Sequence, residues 1–290
     1  MDFLSFFIIQ SLNALSQASI LFFIASGLTL IFGIMRIVNF AHGALYMLGA
    51  YIGYTITVLS GSFFLAIIIS PILVAFFGIA FEKLLLSPLY RREDGGAYLM
   101  VTFGLAVILA EAIKLTWGAA PMGVQIPDLL RGIFIILDFP FPKYRIFLIV
   151  IGLAMAVGTW FFLEKTRFGL LIRAVSQNPQ MVNALGTDVV FIRNMVFAVG
   201  CGLAAMGGVL AAPLVTAFLG MGSSVIIDAF VIVIIGGMGS FLGSIIGSVL
   251  VAFVQVFGAY YAPDLALAII YLLMLIILIV RPGGLLGKEE

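Results

Sequence analysis

Long apolar runs separated by short polar breaks cover almost the whole chain. Each run reaches the roughly 20 residues that a membrane-spanning helix needs, and none shows the strict alternation of a membrane β-strand. The pattern therefore predicts an all-α, polytopic membrane protein with about 8–9 transmembrane segments. The apolar runs lie at about residues 6–34, 40–60, 62–86, 97–117, 144–163, 191–214, 225–258 and 264–281.

The run at 225–258 is too long for one crossing. As a single helix it would measure about 50 Å, against a hydrocarbon core of about 30 Å. Its middle holds Gly236, Gly237 and Gly239, and each glycine weakens a helix by about 1 kcal/mol. We therefore predict two short helices broken at Gly236–Ser240, so that the chain leaves the outer side of the membrane and returns to it.

One polar stretch, from Glu164 to Asp188, is about 25 residues long and contains no segment able to span a bilayer. It carries Lys165, Arg167 and Arg173 and a short amphipathic run, Gln180–Leu185, which Gly186 closes. We interpret residues 1–290 as a single transmembrane domain with a cytoplasmic loop at about 164–190.

The basic residues define an orientation. If this loop faces the cytoplasm, ten Lys and Arg residues lie on its side of the membrane and four lie on the other. Such a bias is typical of cytoplasmic loops, and it places the N-terminus outside and the C-terminus inside. The inner group is Arg36, Lys83, Arg91, Arg92, Lys165, Arg167, Arg173, Arg193, Arg281 and Lys288; the outer group is Lys114, Arg131, Lys143 and Arg145.

Composition agrees with a membrane protein and excludes several functions. Hydrophobic residues make up 64% of the chain and charged residues 9%, far from soluble domains. The net charge of +1 argues against a nucleic-acid partner. The sequence has no Gly-x-x-x-x-Gly-Lys-Ser/Thr phosphate loop and no metal-ligand cluster, so we expect no catalysis and no ATP hydrolysis by this chain. The single cysteine, Cys201, is interpreted as a small packing residue.

Asn39 and His42 stand at the start of the second apolar run and have two interpretations. They could line a transport path or fix a break between two helices. Alternatively, Asn39 caps the following helix and His42 hydrogen-bonds a neighbouring carbonyl.

Three further features also leave alternatives open. Glu111 and Lys114 are three residues apart on one helix face, where they form a structural ion pair or interfacial anchor or, as ionisable groups within a span, have a functional role. Asp228 either caps the helix that begins near it or faces the substrate entrance. The glycine-rich runs, including Ala204 with Gly208 and Gly243 with Gly247, permit close helix packing or line a moving face.

The run from Gly27 to Gly43 (GLTLIFGIMRIVNFAHG) resembles the N-terminal signature of branched-chain amino acid ABC transporter permeases, in particular LivH-type subunits. Further blocks also resemble that family, so the resemblance covers almost the whole chain. These are Arg167–Gly169, Arg173–Ala174, Asn178–Pro179, Ala184–Gly186, Gly207–Gly208, Gly236–Ser240 with Gly243 and Gly247, and Arg281–Gly287.

The resemblance implies the ABC importer permease fold and a subunit that carries leucine, isoleucine or valine across a prokaryotic inner membrane. Its partners would be a second homologous permease, cytoplasmic ATP-binding subunits that use the ATP, an external substrate-binding protein and membrane lipid. The chain itself would hold no cofactor or metal.

By the same resemblance the cytoplasmic loop contains the coupling helix that docks on the ATPase, although Gln180-Met181-Val182 departs from the stricter form of the coupling motif. The coupling residues would be Arg173, Asn178, Pro179, Ala184, Leu185 and Gly186. The substrate path would involve Asn39, His42, Gly43, Gly236, Gly237 and Gly239.

Other transporters remain possible at this level. The same importer class also serves urea, short amides and other small amino acids. An ion-coupled secondary transporter would need buried carboxylates near mid-membrane, and only Glu111, Asp228 and His42 come near that requirement. A membrane enzyme is disfavoured, because the polar residues are not clustered.

Overall fold

The computed structural model describes residues 3–91, 95–136 and 138–287, and they form a bundle of long helices. Arg92 and Lys288, both used in the charge count, lie outside the described residues. Helices dominate because a backbone in lipid must satisfy its own hydrogen bonds. The helices are α1 Phe3–Met35, α2 Ala41–Ser60, α3 Phe63–Phe81, α4 Gly95–Trp117, α5 Lys143–Lys165, α6 Arg167–Gln177, α7 Pro179–Ala184, α8 Val189–Val215, α9 Met221–Gly236, α10 Phe241–Tyr261 and α11 Ala266–Val280.

Among the described residues, eight helical segments are long and apolar enough to cross a membrane, and α9 is a shorter apolar helix. The prediction of an all-α polytopic protein is confirmed. A small addition appears in the polar stretch before α5, where β1 Ile133–Ile136 pairs antiparallel with β2 Phe139–Pro142. Beyond α3, the chain continues through a π-helical turn, Glu82–Leu86, and a 3-10 turn, Ser87–Arg91.

Small residues set the helix spacing at the centre, where α8 packs against α1, α2 and α3. A Cβ atom at Gly49 would clash with Ala205 on α8, and one at Gly78 would lie 2.7 Å from Cys201 Sγ. Cys201 is fully buried, which confirms its packing role. Close approach through small residues is how membrane helices gain van der Waals contact.

The bundle has two ends, which differ in charge. At the end that we call the basic end, Gly33 of α1 lies against Gly239, and Gly237 lies against Gly287. We call the opposite end the hairpin end, because the β1–β2 hairpin lies there. At this end Trp117 Nε1 donates to Thr55 Oγ1 at 2.7 Å. The two groups of basic residues separate between these ends, as the sequence predicts, wherever the chain is described.

The predicted break between α9 and α10 is confirmed. Helix α9 ends at Gly236 and α10 begins at Phe241, with Gly237 and Gly239 at φ values of 100° and 81°. Ser240 Oγ accepts a hydrogen bond from Gly243 N at 3.1 Å and so caps α10. Gly236 packs directly on Gly243, so the two helices fold back as an antiparallel pair at the basic end.

Two helices begin inside the bundle instead of at one of its ends. His42, near the start of α2, contacts Ile24, eleven residues (about 16 Å) before the end of α1. Arg36, at φ 53°, turns the chain back toward this point. Helix α9 starts at the same depth, because Gly222 packs on Gly43, which lies seventeen residues (about 25 Å) from the end of α2 at Ser60.

Candidate functional site

The junction of the two recessed helix starts contains Asn39, His42 and Gly43. Asn39, one residue before the N-cap residue Phe40, accepts a hydrogen bond at Oδ1 from Ala41 N at 3.0 Å and so satisfies the first free N–H of α2. His42 Nε2 lies 3.1 Å from Ile24 O. Both side chains are buried, as are Asn39 Nδ2 and His42 Nδ1, for which the described residues provide no hydrogen-bond partner. The capping and carbonyl contacts that the sequence suggests are therefore present.

Gly43 brings two positive helix ends together. Its neighbour is the backbone of Gly222, and no side chain fits between them. Helix N-termini carry partial positive charge, and interrupted helices of this kind hold substrate sites in many transporters. The geometry makes the junction a candidate path element, and the part that Asn39, His42 and Gly43 play in transport stays a prediction.

Gly236, Gly237 and Gly239 belong to a contact that the sequence does not reveal. The C-terminal segment Arg281–Gly287 returns to the end of α9, where Leu285 N donates to Ile235 O at 2.8 Å and Leu286 N donates to Gly236 O at 3.1 Å. A Cβ atom at Gly284 would lie 2.5 Å from Gly237 N. The segment therefore satisfies the last carbonyls of α9, which a helix end otherwise leaves open.

Asp228 does not cap a helix, so that prediction is wrong. Helix α9 begins at Met221 with Gly220 as its N-cap residue, and Asp228 lies in the middle of the helix. Its side chain is half-buried and lies near Gln255 on α10. The apolar run predicted at 225–258 begins too late, because Met221–Ser224 form the first turn of α9.

Two other acidic residues have structural roles. Glu111 and Lys114 form the predicted ion pair, with 3.3 Å between Oε2 and Nζ and both side chains exposed. Glu82, which the sequence does not single out, is fully buried beside Asn194 on α8. With its nitrogen facing Glu82, the Asn194 amide donates a hydrogen bond to the carboxylate. The only sequence signal for Glu82 is an acidic residue just inside the predicted end of an apolar run.

Helices α6 and α7 form a short helical hairpin between α5 and α8 at the basic end of the bundle. We call it the loop hairpin. Thr166 Oγ1 caps α6 by accepting from Gly169 N at 3.1 Å. Arg173 lies 2.9 Å from Glu164 Oε2 and also donates to Leu163 O, so it fixes α6 to the end of α5. Ile172 and Val175 bury one face of α6.

The second helix of the loop hairpin is fixed at both ends. Asn178 Oδ1 accepts from Met181 N at 2.9 Å, and Pro179 occupies the first turn, where its missing N–H costs nothing. Gly186, at φ 84°, follows α7 while Thr187 N donates to Val182 O at 3.3 Å. These are features of a Schellman C-cap. The prediction of a short helix closed by Gly186 is confirmed.

The loop hairpin presents apolar side chains outward. Leu185 is 78% exposed and Met181 60% exposed. Both residues come after Ala174 and the turn at Asn178 in the sequence. No other described residue covers their side chains. A short helix with exposed apolar residues suits insertion into a groove of a partner protein.

At the hairpin end, two loops are tied together by backbone pairing. Met122 N donates to Ala217 O at 2.8 Å, and Ala217 N donates back at 2.9 Å. Beside them lies an open cavity of about 460 Å³. It is lined by Tyr54, Thr57, Val58, Gly61, Phe63 and residues 123–128 and 131.

These features define a class of protein. Recessed helix starts and a broken helix are features of membrane transport proteins, and the described residues show no group of three metal-ligating side chains. The chain belongs to the family described as branched-chain amino acid transport system / permease component, whose model matches residues 10–278.

Relatives with curated names agree with the family. The chain is 28% identical to the high-affinity branched-chain amino acid transport system permease protein BraD of Pseudomonas aeruginosa, covering 97% of this chain and 96% of BraD. It is 26% identical to LivH of Escherichia coli over 98% of this chain and 97% of LivH. It is also 28% identical to a probable permease protein LivM of Methanocaldococcus jannaschii, covering 79% of this chain and 69% of LivM.

Proposed function

We propose that this chain is the membrane-spanning permease subunit of an ATP-driven importer for leucine, isoleucine and valine. The named relatives, BraD and LivH, are permeases of high-affinity branched-chain amino acid transport systems. Beyond the family, the loop hairpin supports the proposal, because its helices are fixed and its Met181 and Leu185 side chains are exposed. We infer that ATP is used by partner subunits and that this chain binds no cofactor.

The proposed orientation places the basic end in the cytoplasm of a prokaryotic cell, with the N-terminus outside. Retention of Lys and Arg on the cytoplasmic side supports it. The loop hairpin then faces cytoplasmic ATP-binding subunits, with Arg173, Asn178, Pro179, Ala184, Leu185 and Gly186 forming or supporting the contact.

Two further partners complete the proposed importer. A second homologous permease is supported by the similarity of this chain to both LivH and LivM proteins. An external substrate-binding protein would dock at the hairpin end, where the paired loops at Met122 and Ala217 offer one continuous surface. ATP-driven closure would then move the loop hairpin and open the path alternately to each side.

The test is uptake by the reconstituted complex. Proteoliposomes containing this chain, its partner permease, the ATP-binding subunits and the binding protein should accumulate labelled leucine only with ATP, and unlabelled isoleucine and valine should compete. If only urea or short amides compete for uptake, the transported substrate belongs to that class and not to the branched-chain amino acids. Uptake by this chain alone, driven by an ion gradient, would overturn it in favour of a secondary transporter.

A further inference from the structure

The middle of α9 carries a polar face that neither the loop hairpin nor the helix breaks explain. Ser224 and Asp228 are four residues apart and therefore share one face of the helix. Ser224 is exposed and Asp228 is half-buried. The side chains of Gln255 on α10 and Tyr46 on α2 lie near the carboxylate of Asp228.

This face is unsuited to lipid. Charged side chains in membrane helices face the bundle interior or a water-filled path, and they pair with opposite charge. Across residues 3–91, 95–136 and 138–287, no Lys or Arg forms an ion pair with Asp228. Gln255 and Tyr46 offer only neutral donors, so they leave the negative charge of a carboxylate uncompensated.

The polar face is also reachable. Thr216, Phe218, Gly220 and Ser223 are all exposed, and they lead from the paired loop at the hairpin end to Ser224. Because α9 starts deep in the bundle, beside Gly43, this route ends well below the hairpin end. A solute entering from that side meets the junction of the two helix starts at Gly222, and Ser224 and Asp228 lie within the next two turns of α9.

We propose that Asp228 is the binding residue for the ammonium group of the transported amino acid, with Gln255 holding the carboxylate in position. The ammonium supplies the positive charge that the described residues do not, and its three N–H donors suit a carboxylate. This inference rests on the proposed function, since it assigns one end of a zwitterionic substrate to a residue of the permease itself.

The test is thiol labelling at a cysteine placed beside Asp228. Ser224→Cys supplies the thiol, and the native Cys201 is fully buried and gives little background. In the reconstituted complex without binding protein, we expect a trimethylammonium methanethiosulfonate to label Ser224→Cys about tenfold faster than a sulfonate methanethiosulfonate does. Each labelling rate is first divided by the rate of the same reagent with a free thiol. Asp228→Glu should keep this preference and Asp228→Asn should abolish it. Asp264→Asn, the same change at an exposed acid outside the helices α1 to α11, should leave it unaltered.

Substrate protection identifies the group that is bound. Leucine and 3-methylbutylamine, which carry an ammonium group, should slow labelling of Ser224→Cys, whereas 4-methylpentanoate should not. Asp228→Asn should remove the protection. Equal reagent rates in all variants, protection by 4-methylpentanoate, or no labelling of a folded complex would overturn the proposal.

Uptake in the same vesicles separates this inference from the proposed function. If the complex imports no branched-chain amino acid but Ser224→Cys still reacts faster with the cationic reagent, the proposed function is wrong and the cation site at Asp228 stands. Normal leucine uptake by Asp228→Asn, with unchanged KM and kcat, refutes the site and retains the function.

Discussion

Glycine does two different jobs in this chain. At Gly43, Gly49 and Gly78 it removes a side chain so that two helices can touch. At Gly186 it supplies a left-handed backbone, and the space around its missing side chain is open. Substitutions should therefore have different consequences at the two kinds of position.

A packing glycine should tolerate no added methyl group. Gly49→Ala places a Cβ atom against Ala205, and overpacking of this kind costs about 1–3 kcal/mol. Gly104→Ala is the matched control, because a Cβ atom on that glycine of α4 meets nothing within 4 Å. Thermal unfolding of the detergent-solubilised protein should show a lower Tm for Gly49→Ala only. Equal Tm values for the two variants would contradict the packing described for α2 and α8.

Gly186 should be sensitive to backbone conformation and not to side-chain size. Gly186→Val forces a branched residue to φ 84°, at a cost of about 1–2 kcal/mol, whereas Asn tolerates this region. We expect Gly186→Val to uncouple ATP hydrolysis from uptake while the spans stay folded, and Gly186→Asn to remain coupled. The measurement is substrate-stimulated ATPase activity beside uptake in the same proteoliposomes. Normal coupling in Gly186→Val would disprove this role for the C-cap.

At the scale of elements, the pair α9–α10 depends on a segment far away in the chain. The Arg281–Gly287 segment donates backbone hydrogen bonds to the last carbonyls of α9. It thereby joins the C-terminal end of the described chain to the turn at Gly236–Ser240. The broken helix is consequently held at its break by backbone contacts as well as by side-chain packing.

Removing one of these donors should loosen the break. Leu286→Pro deletes the N–H that donates to Gly236 O, leaving a buried carbonyl unsatisfied at a cost of about 1–3 kcal/mol. Leu286→Ala keeps the N–H and is the control, because the leucine side chain is exposed. A cysteine at Met238 should react faster with thiol reagents in Leu286→Pro than in Leu286→Ala. Identical rates would show that the tail does not hold the turn.

At the scale of the whole molecule, the sequence predicts the span pattern well, because hydropathy directly reports which segments suit lipid. The break at Gly236–Ser240 is also predictable, since helix length and glycine content are both local quantities. Gly186 likewise marks the end of α7 correctly from its position after an amphipathic run.

Depth and distant contacts are harder to predict. The segments 36–40 and 216–220 look like ordinary surface turns, although they lead to helix starts inside the bundle. Hydropathy cannot show this, because a recessed start depends on which helices surround it. The same limit explains why the partner of the C-terminal segment and the position of Asp228 within α9 were not foreseen.

We propose that this permease is driven from the cytoplasm by ATP-binding partners that contact the loop hairpin. Labelling of Leu185→Cys with a membrane-impermeant thiol reagent tests it most directly, because Leu185 is exposed and the native Cys201 is buried. We expect no labelling in intact cells, rapid labelling in inside-out vesicles, and protection when the ATP-binding subunits are bound. Labelling from outside intact cells, or no protection by those subunits, would contradict it.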